Sequence, residues 1–135
     1  MKKYIFVVSL LCLLAACTGK RQGEAAAEVA ALPAVEDVVM YQVNPRVFAP
    51  EKSFKAVERR LDSIQTLGIN VVWFMPINEV GQEKSVNSPY CVKDYKGVNP
   101  EFGTLDEFKA LVATCHQKGM NVIIDWVANH TSWDN

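Results

Sequence analysis

Three polar residues follow a short apolar run near the end of the sequence. Residues 122–124 (Val-Ile-Ile) are uninterrupted apolar residues, and Asp125, Asn129 and His130 come shortly after them. Such a run predicts a strand of a parallel sheet that is buried on both faces. A carboxylate at the end of a buried strand is costly unless it is hydrogen-bonded, charge-paired or metal-bound. Because ligand sites in parallel α/β folds lie at the carboxyl ends of strands, these residue types indicate a binding or catalytic site.

Two further strands are predicted upstream of that site. Apolar residues at 38–43 and 69–75 have the composition of strands, and each run is followed by a proline, Pro45 or Pro76. Two helices are predicted between the strands, so the order is strand, helix, strand, helix, strand. This alternation predicts an α/β fold with a parallel sheet. A doubly wound sheet and a (β/α) barrel both satisfy the pattern.

The two predicted helices have clear start and stop signals. The first begins at Ser53 as its N-cap and ends at Gly68, with an apolar stripe from Phe54 to Leu67. The second begins with a capping box, in which the side chains of Thr104 and Glu107 each accept a hydrogen bond from the other residue's backbone N–H. It ends at Gly119. Cys115 lies in the apolar stripe of the second helix and is predicted to be a buried free thiol.

The loop between the second strand and the second helix is unusually long. It covers residues 77–103 and is rich in Gly, Asn, Ser, Pro and Lys. Loops of this length inside compact domains are often functional. Neither a phosphate-binding glycine loop nor a Gly-x-Gly-x-x-Gly sequence follows the first strand, which argues against a nucleotide site.

Several motifs resemble those of one enzyme family. Residues 125–130 (Asp-Trp-Val-Ala-Asn-His) have the form Asp-x-x-x-Asn-His, and residues 88–90 (Ser-Pro-Tyr), 98–104 (Val-Asn-Pro-Glu-Phe-Gly-Thr) and 40–42 (Met-Tyr-Gln) precede them in order. Together they resemble the α-amylase family, glycoside hydrolase family 13. The resemblance implies that residues 37–135 are the first strands and helices (β1-α1-β2-α2-β3) of a (β/α)8 TIM barrel.

The resemblance implies roles for several side chains. Tyr90 is similar to the tyrosine that stacks on the sugar at the cleaved bond, and His130 to the histidine that hydrogen-bonds that sugar. Taken alone, each is more typical of a residue that fixes a loop. Asp125 resembles a buried aspartate that orients its active-site neighbours, notably an arginine on a later strand. Asn129 resembles a ligand of structural calcium in calcium-dependent members; one amide does not make a site, so calcium is left open.

Two tryptophans flank the Asp-x-x-x-Asn-His motif. Trp126 follows the strand directly, and we predict a position in the core or at its rim. For Trp133 the alternatives are a sugar platform and packing against a part of the protein beyond this sequence, of which we favour the second.

The resemblance implies a retaining glycoside hydrolase acting on α-glucans with two carboxylates. In the family these carboxylates and a further aspartate lie on the fourth, fifth and seventh strands. We expect them beyond Asn135, so the chain by itself is expected not to hydrolyse glucans. The alternative is a non-catalytic surface lipoprotein that binds glucan. A domain in which Asp125 and His130 ligate a transition metal is disfavoured, because only one histidine is near the site.

The N-terminus has the features of an export signal. Residues 1–16 combine a basic start with an apolar segment too short to span a membrane, and residues 14–17 (Leu-Ala-Ala-Cys) resemble a bacterial lipobox. We therefore predict a signal peptide over 1–16, lipid on Cys17, and a tether over 17–36. This implies an exported lipoprotein at the outer membrane or cell surface. Of the other cysteines, Cys91 and Cys115 do not define a disulfide framework.

The charge of the chain argues against two classes of partner. It has 135 residues, a net charge of -1 and 50% hydrophobic residues. Neither nucleic acid nor an anionic membrane surface is indicated by that balance, and the membrane contact is predicted only through the lipid.

Overall fold

A computed structural model describes residues 31–135. The predicted signal peptide, Cys17 and most of the tether lie outside these residues. After a 3-10 turn at Val35–Asp37, the elements in chain order are β1 (Met40–Val43), α1 (Pro45–Phe48), α2 (Ser53–Glu58), α3 (Leu61–Gln65), β2 (Val71–Phe74), β3 (Glu79–Val80), β4 (Val92–Asp94), α4 (Leu105–Gln117) and β5 (Asn121–Ile124). Within the described range, no helix is long and apolar enough to cross a membrane.

The main sheet confirms the predicted parallel α/β architecture. It has three strands in the order β1-β2-β5, and both pairs are parallel. The register aligns Gln42 with Trp73 and Trp73 with Ile123, so these three side chains form one row across the sheet. Because side chains alternate along a strand, the next row, which contains Val43 and Phe74, points to the opposite face.

One face of the sheet carries the hydrophobic core. The core joins side chains of the strands to those of α2, α3 and α4, and its fully buried members include Val43, Phe54, Val57, Leu61, Val72, Phe74, Leu111, Cys115 and Met120. Three aromatic contacts cross it: the ring centroids of Phe54 and Phe108 are 5.0 Å apart, and those of Phe74 and Phe108 are 5.5 Å apart in an edge-to-face arrangement, with Phe54 and Phe102 at 6.1 Å. Of these contacts, the one between Phe74 and Phe108 joins β2 to α4, and the one between Phe54 and Phe108 joins α2 to α4.

The first predicted helix is wrong in two details. It is interrupted after Glu58 and resumes at Leu61, and its N-cap is Lys52, with φ 48°, instead of Ser53. The hydroxyl of Ser53 is buried without a hydrogen-bond partner. The N–H of Phe54 donates to the carbonyl of Phe102 at 3.0 Å. A tertiary contact thus satisfies the start of this helix, which removes the need for a side-chain cap.

The second predicted helix is confirmed. The hydroxyl of Thr104 accepts a hydrogen bond from the N–H of Glu107 at 3.2 Å, and the Glu107 carboxylate accepts one from the N–H of Thr104 at 2.9 Å. Gly119, with φ +75°, follows the end of α4 in the left-handed conformation that favours glycine. Both ends of α4 are therefore set by local sequence.

The long loop contains a hairpin that the sequence analysis missed. Strands β3 and β4 pair antiparallel, with Val80 opposite Val92 and an irregularity between Glu79 and Val80. A hydrogen bond from Lys93 Nζ to Glu79 at 3.0 Å joins the two strands and raises the pKa of Lys93. Two strands of two and three residues give too short an alternation for a period of two to be recognised.

The prediction that the last strand is buried on both faces is wrong. Ile123 and Ile124 of β5 are 43% and 41% exposed. Among the described residues β5 pairs only with β2, so it is an edge strand and its outer side has no neighbour. The apolar run correctly identified the strand, but burial depends on what packs beside it.

Cys115 confirms the prediction of a buried free thiol. It is 0% exposed and unpaired, and Cys91 is also a free thiol. Burial, followed by the nearby carboxylate of Glu58, raises the pKa of Cys115 to about 12. The thiolate is the reactive form of cysteine, so this side chain serves as a small apolar core residue.

Candidate functional site

The carboxylate of Asp125 is held by two long-range hydrogen bonds at the end of β5. The indole N–H of Trp73, on β2, donates to Oδ1 at 2.7 Å. The phenol of Tyr90, in the loop between β3 and β4, donates to Oδ2 at 2.8 Å. The backbone N–H of Asp125 also donates to the carbonyl of Phe74, which extends the β2–β5 ladder by one bond. Each carboxylate oxygen thus has its own donor, as the sequence analysis required for a carboxylate in this position.

Tyr90 stays protonated over a wider pH range because of this contact. Its hydrogen bond to Asp125, with smaller contributions from burial and from the negative charge of Asp125, raises the pKa of Tyr90 above its ordinary value of 10.0. The phenol is therefore a donor throughout the neutral range. The side chain is 38% exposed, which leaves part of it accessible to a ligand.

His130 lies in a neighbouring exposed segment, beside Asn129. The side-chain amide nitrogen of Asn129 is 3.2 Å from Nδ1 of His130. The second ring nitrogen, Nε2, is therefore the one available to a ligand oxygen.

Two adjoining recesses lie beside these residues and share Tyr95 and Trp126. One, of about 490 Å³, is lined also by residues 127–131, which include His130. The other, of about 300 Å³, is lined also by Ile77, Asn78, Ile124 and Asp125. The hydroxyl of Tyr95 is 2.6 Å from the carbonyl oxygen of Val127 and 2.7 Å from that of His130, so it holds a segment that lines the larger recess. Aromatic faces beside hydrogen-bonding groups suit a ligand that has both apolar C–H faces and hydroxyl edges.

The two flanking tryptophans are both exposed. Trp126 is 80% exposed, so the core alternative is wrong and the residue lies at the rim, on the wall of both recesses. Trp133 is 74% exposed, and the ammonium of Lys84 lies 3.8 Å from the centre of its ring. One face of the Trp133 indole is therefore covered by a cation, an arrangement that sequence did not indicate.

The described residues do not by themselves fit a calcium site at Asn129. Calcium takes six to eight oxygen ligands, mostly carboxylates and carbonyls. In residues 31–135 no group of three or more His, Cys, Asp or Glu side chains is placed to hold a metal ion. The amide of Asn129 is engaged with His130. Calcium at Asn129 stays a prediction.

Sequence reasoning identified the polar residues of the site but missed two aromatic ones. Trp73 lies in a predicted strand and Tyr95 in the long predicted loop, and the sequence analysis assigned no role to either. A tryptophan in an apolar strand is a weak signal of a hydrogen-bonding role, because tryptophan is common in strands for its packing alone. Tyr95 had no local signal at all, since its partners are 32 and 35 residues away.

Comparison with known proteins is consistent across sequence and structure. The family model for the alpha amylase catalytic domain matches residues 51–135. An oligo-1,6-glucosidase from Halalkalibacterium halodurans is 33% identical over 102 residues, which are 72% of this chain and 18% of that protein. An amino acid transporter heavy chain from Homo sapiens is 38% identical over 98 residues, 69% of this chain and 14% of that protein.

The solved structures include close neighbours. The crystal structure of an alpha-amylase from Lactobacillus plantarum is 42% identical, with a TM-score of 0.67, and the match covers 73% of this chain and 24% of that one. The chain spans less than a fifth of the length of the two relatives above, at 18% and 14%. Its α/β architecture with a parallel sheet is what an incomplete barrel would have.

Proposed function

This chain belongs to the alpha-amylase catalytic-domain family, and from that membership we propose that it forms the N-terminal part of a retaining glycoside hydrolase acting on α-glucans. In that proposal β1, β2 and β5 are the first three strands of a (β/α)8 barrel. The observation that carries it is that the family match includes Tyr90, Asp125 and His130, and Tyr90 and Asp125 are in direct contact. The names of relatives add support, since they include an oligo-1,6-glucosidase and an alpha-amylase.

The residues of this chain have binding and orienting roles in the proposed mechanism. Tyr90 stacks its ring on the C–H face of the glucose at the cleaved bond, and His130 hydrogen-bonds a hydroxyl of the same sugar through Nε2. Asp125 orients its neighbours. A retaining reaction needs one carboxylate to attack the anomeric carbon and a second group to protonate the leaving oxygen. Those two groups are proposed to lie on later strands of the complete protein.

The experiment that tests this proposal begins with the gene. We expect the reading frame to continue past codon 135 and to encode the remaining strands with two catalytic carboxylates. The encoded protein should release reducing sugar from starch or maltooligosaccharides, with retention of the anomeric configuration observed by NMR. A complete protein that encodes those carboxylates but cleaves no α-glucan would contradict the proposal.

The alternative is a non-catalytic surface lipoprotein that binds glucan. The amino acid transporter heavy chain that is 38% identical over this segment is not named as a glycosidase, so similarity over these residues does not by itself imply catalysis. Glucan binding without turnover, together with a gene that lacks the later carboxylates, would support it over the hydrolase.

We further propose that the protein is exported and anchored by lipid on Cys17, at the outer membrane or cell surface. The support is the sequence at residues 14–17, which resembles a lipobox. Cys17→Ala is expected to move most of the protein from the membrane fraction to the soluble fraction, because acyl chains supply the binding energy of such an anchor. Cys12→Ala, which changes a cysteine inside the apolar segment, is the matched control and should leave partitioning unchanged. Equal behaviour of the two variants would refute the anchor.

A further inference from the structure

The loop that carries Tyr90 has an unfavourable backbone conformation. Residues 81–91 connect β3 to β4, and within them Lys84, Val86 and Asn87 have φ values of 52°, 48° and 57°. Left-handed φ is uncommon for residues other than glycine, and for a β-branched residue such as Val86 it is a genuine outlier. Backbone of this kind persists only where surrounding contacts hold it. The contacts that hold this loop therefore decide where Tyr90 lies.

The segment after β5 supplies one set of these contacts. The N–H of Gln82 donates to Oδ2 of Asp134 at 2.9 Å, and the N–H of Ser132 donates to the carbonyl of Val92 at 2.9 Å. The amide of Asn135 donates to the carbonyl of Lys93. We call residues 132–135, with these three hydrogen bonds to the hairpin, the clamp.

The clamp is built tightly against the loop. Ser132 is 5% exposed, and Oδ1 of Asp134 is also buried. A Cβ atom added to Gly81 would lie within 3.0 Å of side-chain atoms of both Ser132 and Asp134, closer than real Cβ atoms come. The absence of a side chain at Gly81 is thus what lets the clamp reach the backbone of Gln82.

A second contact holds the loop from the side of β1. Nη1 of Arg46 donates to the carbonyl of Asn87 at 2.7 Å, and Nη2 lies 3.4 Å from Oδ1 of the same residue. Arg46 therefore holds the left-handed turn, and the clamp holds the start of the loop. Tyr90 is near the other end of the loop, where its phenol reaches Asp125.

We propose that Asp134 is a positioning residue, which accepts the N–H of Gln82 and thereby holds loop 81–91 so that the phenol of Tyr90 meets Asp125. Asp134 touches neither Tyr90 nor Asp125 in this role and acts only through the loop. The inference rests on the proposed function to the extent that Tyr90 and Asp125 serve a sugar site. Several hydrogen bonds lower the pKa of Asp134, and the one from the N–H of Gln82 has the largest effect. The carboxylate is therefore charged at neutral pH, and the bond is charge-assisted.

The test is an NMR titration of the tyrosine rings in the full chain, without sugar. Tyrosine is labelled with ¹³C at Cζ, and Tyr90→Phe identifies the Tyr90 signal. In the parent chain Tyr90 should titrate above 10.0, as its contact with Asp125 requires. In Asp134→Ala the released loop should bring the pKa of Tyr90 back close to 10.0. Asp134→Asn keeps an acceptor but not the charge and should give an intermediate pKa.

Asp106→Ala is the matched control, because it removes an exposed carboxylate from the first turn of α4. It should leave the Tyr90 titration as in the parent. Should Asp134→Ala fail to fold by circular dichroism, Asp134→Asn decides. A Tyr90 pKa in Asp134→Asn equal to that of the parent would overturn the proposal, as would a folded Asp134→Ala that melts earlier but titrates unchanged. A parent chain in which Tyr90 titrates at its ordinary value would overturn it as well.

This titration separates the inference from the proposed function. It reads the Tyr90–Asp125 contact in the absence of any glucan, so a protein that neither binds nor cleaves glucan can still give the graded series. Conversely, if the protein is a hydrolase but Asp134→Ala leaves the Tyr90 titration unchanged, the proposed function stands and the positioning role of Asp134 is refuted.

Discussion

Phe108→Ala is expected to lower the free energy of unfolding by about 3–5 kcal/mol, which is the usual effect of truncating a buried phenylalanine. Phe108 is buried and is the only one of the core aromatics that contacts both Phe54 of α2 and Phe74 of β2 among the ring pairs of the described residues. Its truncation removes the ring contacts that join α4 to β2 and to α2. Since domains of this size are stabilised by only about 5–15 kcal/mol, much of the stability should be lost.

Urea unfolding followed by circular dichroism measures this effect through the shift of the midpoint. Leu105→Ala is the control on the same helix, because Leu105 is an exposed apolar residue at its first position. That substitution should change stability by about 0.5 kcal/mol or less. Similar midpoints for the two variants would contradict the arrangement of the core.

Tyr90→Ala is expected to lower kcat/KM for a maltooligosaccharide by about twofold to tenfold in the complete hydrolase proposed above. An aromatic platform contributes about 0.5–1.5 kcal/mol beyond its buried area, and each 1.4 kcal/mol corresponds to about a factor of ten. The loss should appear in kcat, because contacts beside the reacting carbon strengthen in the transition state. The substitution also removes the hydrogen bond from Tyr90 to Asp125.

Two further variants define what Tyr90 contributes. Tyr90→Phe keeps the ring and removes the hydrogen bond to Asp125, so it should retain part of the activity. Trp133→Ala removes an exposed ring that contacts Lys84 and should lower kcat/KM less than Tyr90→Ala does. Equal and small effects of Tyr90→Ala and Trp133→Ala on kcat/KM would refute the role of Tyr90 in stacking.

Elements with local signals could be predicted from sequence. The capping box of Thr104 and Glu107 and the glycine at Gly119 defined α4, since each signal acts within a few residues. Three apolar runs gave the strands, and their alternation with helices gave the parallel sheet. Where a tertiary contact replaced a local one, prediction failed: the start of α2 is satisfied by the carbonyl of Phe102, which no rule about Ser53 could indicate.

The lipid anchor, the tether and the calcium ligand remain predictions. The first depends on residues 14–17, outside the described part of the chain. The last depends on Asn129, beside which residues 31–135 place no cluster of three or more His, Cys, Asp or Glu side chains fit to hold a metal ion. The family, in contrast, is shown by a match over residues 51–135.

By itself the sequence indicated the order of the three main-sheet strands and of the helical regions between them, and the family resemblance pointed to Tyr90, Asp125 and His130 as site residues. Only the tertiary structure decided how they meet. The partners of Asp125 are 35 and 52 residues away along the chain, and Asp134 reaches Gln82 across 52 residues. Helix caps and strand patterns are encoded over a few neighbouring residues, whereas these contacts arise from the sheet register and from the position of the β3–β4 hairpin and its loop. The spacing of apolar residues does not predict such long-range side-chain contacts, so only the folded chain identifies the partners of the site residues.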